Sequence, residues 1–272
     1  FACAHPAIER GMRAPLILQT ILGLTAIDIA AAFLVSPATM GQRLVRAKQR
    51  IHDAGIPFSI PDLNELPERL DAVLDAIYAA YAKGWSEWGE ADGLTLADEA
   101  IWLGRLIVSL LPDQSEARGM LALMYYTSAR NPARRDTAGA YVPLDLQDTA
   151  QWDLALIDAA EEQLQQASRA GPSGRYQLEA AIQSAHVARR LVGAETATAV
   201  LALYDHLLAL THSPVVALNR AVALAAVEGP GAGLAALDAV AADPRMATYQ
   251  PYWAAFGHLS AEAGRREDAH RA

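Results

Sequence analysis

The sequence contains a single cysteine, Cys3, in 272 residues. No disulfide can form within the chain, which is expected of a protein from the reducing cytoplasm. Cys3 and His5 are two residues apart, but no second pair of cysteine or histidine residues accompanies them, so we expect no zinc site. Walker, GxSxG and HExxH motifs are also absent, and we therefore expect neither enzymatic activity nor a cofactor.

Long apolar runs and strand-forming residues are scarce as well. No run of about 18 apolar residues is free of charges, so neither a transmembrane helix nor a membrane partner is expected. Hydrophobic residues make up 53% of the chain, which excludes general disorder, but only 4 of its residues are Phe. Much of that fraction is Ala and Leu, which favour helices over strands. The composition predicts an all-α protein.

Positive charge is scarce overall but concentrated near the N-terminus. The chain carries −9, whereas residues 1–56 hold six Lys/Arg and three Asp/Glu, a charge of +3. The remaining residues therefore carry −12. A basic segment can meet nucleic acid, but an acidic body repels it. We expect any nucleic-acid contact to lie within residues 1–56.

Two helices separated by a short turn are predicted inside this basic segment. Thr25 is a candidate N-cap, with Asp28 three residues later as in a capping box. Ser36 followed by Pro37 marks the start of the second helix. The first helix is expected to bury Ile29, Ala30 and Phe33. The second is expected to bury Met40, Leu44, Ala47 and Ile51, which recur at helical spacing.

The outer face of the second helix is basic. Arg43, Arg46, Lys48 and Arg50 lie within residues 37–52, which contain no carboxylate. A helix, a three-residue turn and a basic second helix match a DNA-binding helix-turn-helix. The same pattern also fits an ordinary helical hairpin with a solvated charged face, and the pattern by itself leaves both interpretations open.

The rest of the chain is predicted to be helical with two interruptions. Residues 57–112 are interpreted as a proline-spaced connector and a helical segment. Trp85 and Trp88 are expected to pack back on the body, and the alternative is that they form a contact patch. Near residue 131 the helical rhythm breaks. We expect a turn over residues 136–139 with short extended arms, held by ion pairs among charged residues. Those charged residues are Arg134, Arg135, Asp136, Asp145 and Asp148.

Residues 113–272 are predicted to form a tetratricopeptide-like helical extension. Gly229 and Gly264 are 35 residues apart, and each ends one helix before the next begins. Such repeats stack into a solenoid with a concave face. The three histidines on helices in this region are expected to be packed or surface residues and not ligands. They are His186, His206 and His258.

Together these residues resemble one family. "GLTAIDIAAAFLVSPATMGQRLVRAKQRI" is similar to region 4 of extracytoplasmic-function sigma factors. "FACAHPAI" resembles the segment before that region in a subgroup with a long C-terminal extension. The extension resembles the same subgroup in the stretches "RLVRAKQRIHDAGIPF", "LPERLDAVLDAIY", "ARNPARRDTAGAYVPLDLQDTAQWD", "YQLEAAIQSAH" and "SPVVALNRAVALAAVEGP".

The resemblance implies a fold and a function. It implies an all-α chain with a region 4 helix-turn-helix domain at 1–56, a connector at 57–112 and the helical extension at 113–272, which carries one small irregular or hairpin insertion. The implied function is transcription initiation in the cytoplasm, with the −35 promoter element and the RNA polymerase core as partners and a protein or peptide on the tail. Region 2, which melts the −10 element, is absent, and we interpret the sequence as a fragment.

The resemblance also assigns the DNA-facing positions. Leu34 occupies a turn position where related sequences often carry glycine. Lys48 and Arg50 are expected to contact the backbone or solvent. The positions assigned to DNA binding are Pro37, Ala38, Thr39, Gly41, Gln42, Arg43, Arg46, Lys48 and Arg50. The alternative is a protein-interaction scaffold whose helix-turn-helix no longer binds DNA.

Overall fold

A computed structural model of the chain describes residues 1–56, 59, 61–86 and 95–265. The described residues form twelve α-helices and six short 3-10 helices, and they contain no β-strand. The all-α prediction is confirmed. The helices are α1 (Arg10–Thr20), α2 (Ala26–Ala32), α3 (Pro37–Asp53), α4 (Leu66–Ser86), α5 (Leu96–Leu110), α6 (Ser115–Ala129), α7 (Leu154–Ala170), α8 (Arg175–Val192), α9 (Ala197–Thr211), α10 (Pro214–Glu228), α11 (Pro230–Val240) and α12 (Gln250–Glu262).

The chain folds as two compact units, Phe1–Pro112 and Asp113–Ala272. The first unit contains both predicted segments, 1–56 and 57–112. Within it, α1 contacts α2, α3 and α4, while α2 packs on α3 and α4 packs on α5. Helix α4 is therefore part of the support on which the predicted helix-turn-helix rests. The division of the chain into three functional domains stays a prediction.

The starts of α2 and α3 are fixed by their own sequence. Thr25 and Asp28 form a complete capping box, in which the Asp28 backbone N–H donates to the Thr25 hydroxyl and the Thr25 backbone N–H donates to the Asp28 carboxylate. Ser36 accepts a hydrogen bond from the backbone N–H of Thr39 at 3.2 Å, and Pro37 is the first residue of α3. Both predicted caps are confirmed. They satisfy N–H groups that have no partner within the helix.

The apolar faces of α2 and α3 are buried at four of the seven expected positions, whereas Phe33, Ala47 and Ile51 are only half-buried. Leu44 is 2% exposed and Met40 is 1% exposed, and Ile29 and Ala30 are equally buried. Phe33, expected to be buried, is only half-buried because it lies just past the end of α2, where the backbone is no longer helical. The expected burial of Leu44 is confirmed.

The second unit is a succession of packed helices. Helix α6 contacts α7 and α8, each later helix contacts the next, and α10 also contacts α12. Helices α6 and α8 approach each other closely at Gly119, which has no Cβ atom. A Cβ atom at this position would lie 2.7 Å from the backbone nitrogen of Gln177 on α8. The last three helices share an apolar core that includes Leu218, Leu237 and Leu259.

A small hairpin-like turn interrupts the helices after α6. Arg135 and Tyr141 form an isolated antiparallel bridge, and Gly139 has a φ of 82°. The Asp136 carboxylate accepts hydrogen bonds from the backbone N–H groups of Ala138 and Ala140, at 2.9 and 2.8 Å. The expected turn with short extended arms is therefore present.

The segment after this turn is fastened to α8. Arg189 pairs with the Asp145 carboxylate, and Arg190 donates to the backbone carbonyl of Gln147 at 2.7 Å. Asp148 accepts from the backbone N–H of Ala150 at 3.0 Å. Each of these carboxylates has a structural partner. The ion pair of Asp145 is made with Arg189 of α8 and not with a charged residue of the loop, whereas Asp136 and Asp148 are held by backbone N–H donors.

Two further expectations concern the two tryptophans and the membrane. Trp85 is half-buried on α4, whereas Trp88 lies outside the described residues. No described helix is both long and apolar enough to cross a bilayer.

Candidate nucleic-acid interface

The turn between α2 and α3 is compact and has an unusual backbone. Leu34 adopts a φ of 51°, in the left-handed region that favours glycine. The backbone N–H of Val35 donates to the carbonyl of Ala30 at 3.2 Å, which closes the end of α2. Related sequences often carry glycine at this turn position, and the backbone here adopts the left-handed conformation that glycine favours. In this chain Leu34 adopts that conformation.

The four cations of α3 do not all lie on one side of the helix. At ~100° per residue, Arg43, Arg46 and Arg50 lie roughly 100–160° from Leu44 in one rotational sense, and Lys48 lies about 40° from it in the other. All four side chains are exposed. The three arginines form one flank of α3, which we call the arginine flank (Arg43, Arg46 and Arg50). Lys48 lies on the opposite flank.

The charges of these cations are not neutralised within the described part of the chain. None of the four forms an ion pair with another described residue. Arg46 donates only to the carbonyl of Gln42, one turn earlier, at 3.4 Å. Asp53, the one carboxylate on α3, accepts a hydrogen bond from Gln49 at 2.7 Å and contacts His52. The cations are free to meet an external anion.

The remaining predicted positions lie at the start of α3 and along its outer surface. Pro37, Ala38 and Gln42 are exposed, whereas Thr39 and Gly41 are half-buried. The Thr39 hydroxyl lies 2.8 Å from the Ser36 hydroxyl, next to the cap. A base contact by Thr39 would have to share or replace this hydrogen bond.

Lys83 of α4 supports the interface, and the sequence did not single it out. Its ammonium group lies 3.1 Å from a carboxylate oxygen of Asp28, the acidic member of the α2 capping box. Hydrogen bonds from Thr25, followed by those from Lys83, hold the pKa of Asp28 below its ordinary value. Helix α2 is thus tied to a helix that begins 38 residues later. No local pattern in the sequence signals this pairing.

A cavity of about 940 Å³ opens beside the arginine flank. One wall is the flank itself, and the other is the segment that leads into α1, from Ala7 to Met12. Arg13 fixes this second wall, because its guanidinium donates to the carbonyls of Ile8 and Pro6 at 3.0 and 2.9 Å. This cavity could not be predicted from the sequence, since its walls are about 35 residues apart in the chain.

The three histidines predicted on helices of the second unit lie on α8, α9 and α12. No group of three or more His, Cys, Asp or Glu side chains that could hold a metal occurs among the described residues. His206 and His258 are exposed. His186 is half-buried on α8, and burial, followed by the nearby charges of Arg189 and Arg130, lowers its pKa to about 4. These observations favour packed or surface roles.

The known protein and the family model that the chain matches have no described function. Residues 69–168 match a family described as "Family of unknown function (DUF6596)". The chain is 38% identical over 274 residues to "Uncharacterized protein R00370" of Rhizobium meliloti (strain 1021). The whole chain is covered, and it spans 64% of the length of that relative. No solved structure gives a significant match.

Proposed function

We propose that the chain is the C-terminal part of an alternative sigma factor, in which α2, the turn and α3 form a helix-turn-helix that binds the −35 promoter element. The observation that carries the proposal is the exposed set of unpaired cations on α3, a helix that packs on α2 and buries Met40 and Leu44. The resemblance of residues 23–51 to sigma region 4 supports the same function.

Different residues of α3 are proposed to contact the bases and the backbone of the DNA. The second helix of a helix-turn-helix places its N-terminal residues at base edges in the major groove. Gln42 is exposed near that end and can bond to a base edge, while Arg43 and Arg46 can reach phosphate or guanine. Lys48 and Arg50, nearer the C-terminal end, contact the DNA backbone. The RNA polymerase core is the second partner of the first unit.

The second unit is proposed to be a tetratricopeptide-like extension with a regulatory or protein-binding role in the cytoplasm. Its helices pack in chain order, and α6 contacts α8 just as α10 contacts α12. Contact between alternate helices is the pattern expected when helix pairs stack into a solenoid. Residues 113–272 hold 18 Asp/Glu and 13 Lys/Arg, a charge of −5, which disfavours a second nucleic-acid site and suits a protein or peptide partner.

Selection from random duplex DNA, followed by titration of the enriched sequence, tests the proposal. The double variant Arg43→Ala/Arg46→Ala should bind the selected duplex at least tenfold more weakly, because each lost base contact costs about 1–3 kcal/mol. Its circular dichroism spectrum and melting temperature should stay unchanged, since both side chains are exposed.

A charge-matched control separates specific contact from net charge. Arg169→Ala/Arg265→Ala removes the same charge from exposed positions of the second unit and should leave binding within twofold. If no sequence is enriched, or if the two double variants bind DNA equally, the DNA-binding assignment is wrong. The chain would then be better described as a protein-interaction scaffold with a retained helix-turn-helix shape.

A further inference from the structure

The cavity beside the arginine flank has the size and wall chemistry of a small-molecule site. Its volume of about 940 Å³ lies at the upper end of the usual range for ligand pockets, roughly 300–1,000 Å³. Ala47, Ile51 and Ile56 contribute half-buried apolar wall, and the three arginines of the flank also line the cavity. A ligand that fits must therefore carry both an apolar surface and anionic groups.

The charged groups that line the cavity narrow the class of ligand further. Three arginines and two acidic residues, Glu9 and Asp53, line the cavity, so the lining has an excess of one positive charge. Neither carboxylate forms an ion pair with the arginines within the described chain. Guanidinium groups bind phosphate oxygens through paired hydrogen bonds, and carboxylates accept hydrogen bonds from hydroxyl or amino groups.

The walls of the cavity are already in place without a ligand. Ile8 and Met12 are each 5% exposed and belong to the core of the first unit. Arg13 holds the segment before α1 through two backbone carbonyls, and the Ile8 backbone N–H donates to the carbonyl of His5 at 2.9 Å. A preformed wall lowers the entropic cost of binding.

We propose that this cavity binds a mononucleotide carrying two or three phosphate groups. The phosphates lie against the arginine flank, whose members are separated along the helix axis by roughly 4.5 and 6 Å, so that their long side chains can converge on one chain of phosphate groups. The nucleobase lies on the apolar wall formed by Ala47, Ile51 and Ile56, which line the cavity and are only half-buried. Glu9 or Asp53 accepts hydrogen bonds from the hydroxyl or amino groups of the nucleoside.

Occupancy of the cavity has a consequence for DNA binding. The arginines that would hold the phosphates are also proposed to face DNA, so nucleotide and DNA should compete, each weakening the other by the same factor. This consequence rests on the proposed function, whereas nucleotide binding itself does not. The two can fail separately, because nucleotide binding is measured without DNA.

Calorimetric titration of the 272-residue chain with ATP and with GTP tests the proposal, with tripolyphosphate and adenosine as partial ligands. At least one nucleotide should bind, and both partial ligands should bind at least fivefold more weakly than it does. Arg50→Ala should weaken nucleotide binding about tenfold or more. Lys48→Ala removes the same charge from the opposite flank, which does not line the cavity, and should change binding by less than twofold.

A neutral steric variant completes the test. Gly11 is exposed and lines the cavity, and a Cβ atom at this position would meet nothing within 4 Å. Gly11→Leu should therefore fold normally and weaken nucleotide binding without changing the charge. Absence of binding at millimolar nucleotide, tripolyphosphate binding as tight as the nucleotide, or equal losses in Lys48→Ala and Arg50→Ala would each overturn the proposal.

Discussion

The ammonium nitrogen of Lys83 lies 3.1 Å from a carboxylate oxygen of Asp28, and both side chains are less than one third exposed. Asp28 therefore makes two stabilising contacts. It completes the capping box of α2, and its ion pair with Lys83 joins α2 to α4. The ion pair joins the first helix of the predicted DNA-binding motif to the helical segment that follows it. The stability of the motif should depend on the charge of Asp28.

Asp28→Asn is expected to lower the free energy of unfolding by about 1–2 kcal/mol at pH 7, measured by urea denaturation. The pKa of Asp28 is held below its ordinary value of 3.8, so the stabilisation is fully present above that value and is lost as the pH falls through the lower pKa of the folded state. The difference between the variant and the wild type should therefore shrink below about pH 4. A difference that stays constant between pH 7 and pH 3 would contradict this account.

Leu44→Ala should destabilise the first unit by about 2–5 kcal/mol, because it removes a buried side chain of α3. Val45→Ala is the matched control, since Val45 is the next residue on the same helix and is 68% exposed. Its cost should stay below about 0.5 kcal/mol. Equal costs for the two variants would show that α3 is rotated from the orientation described above.

Gly119→Ala should destabilise the second unit by about 1–3 kcal/mol. The added Cβ would lie 2.7 Å from the backbone nitrogen of Gln177 and 2.8 Å from its Cγ, so α6 and α8 would have to separate. Gly231→Ala, on α11, provides the comparison because its Cβ would meet nothing within 4 Å. Thermal unfolding should show a lower melting temperature for the first variant and an unchanged or slightly higher one for the second.

The salt dependence of DNA binding should report the number of cations in contact. With roughly three or four phosphates neutralised, the logarithm of the binding constant should fall against the logarithm of salt concentration with a slope near −3. Each lost phosphate contact reduces that slope by about 1, so the double variant of Arg43 and Arg46 should show a slope nearer −1 if both contact phosphate. A slope that does not change in the variant would place both arginines at base edges or away from the DNA.

Some features of the candidate site could be predicted because their causes are local. Thr25 and Ser36 cap helices through hydrogen bonds that span three residues, and the burial of Met40 and Leu44 follows from helical spacing. Phe33 was harder to predict, because its burial depends on where α2 ends. Helical spacing no longer predicts which side chains are buried once the backbone has left the helix.

Other features had no local cause. The pairing of Lys83 with Asp28 joins residues 55 positions apart, and the cavity forms only because the segment before α1 is held beside α3. The sequence showed four cations on one helix, but it did not show that three of them line a cavity and the fourth does not. That distinction depends on which neighbour each flank of α3 meets.

The sequence by itself determined the helical class, the positions of the caps, the buried stripe of α3 and its excess of positive charge. Those properties depend on residue type and on spacings of three or four residues, which an α-helix converts directly into faces. Tertiary structure alone decided that α4 braces α2, that Gly119 lets α6 approach α8, and that the arginine flank borders a cavity. These features are contacts between distant segments, and no local periodicity encodes which distant segments meet.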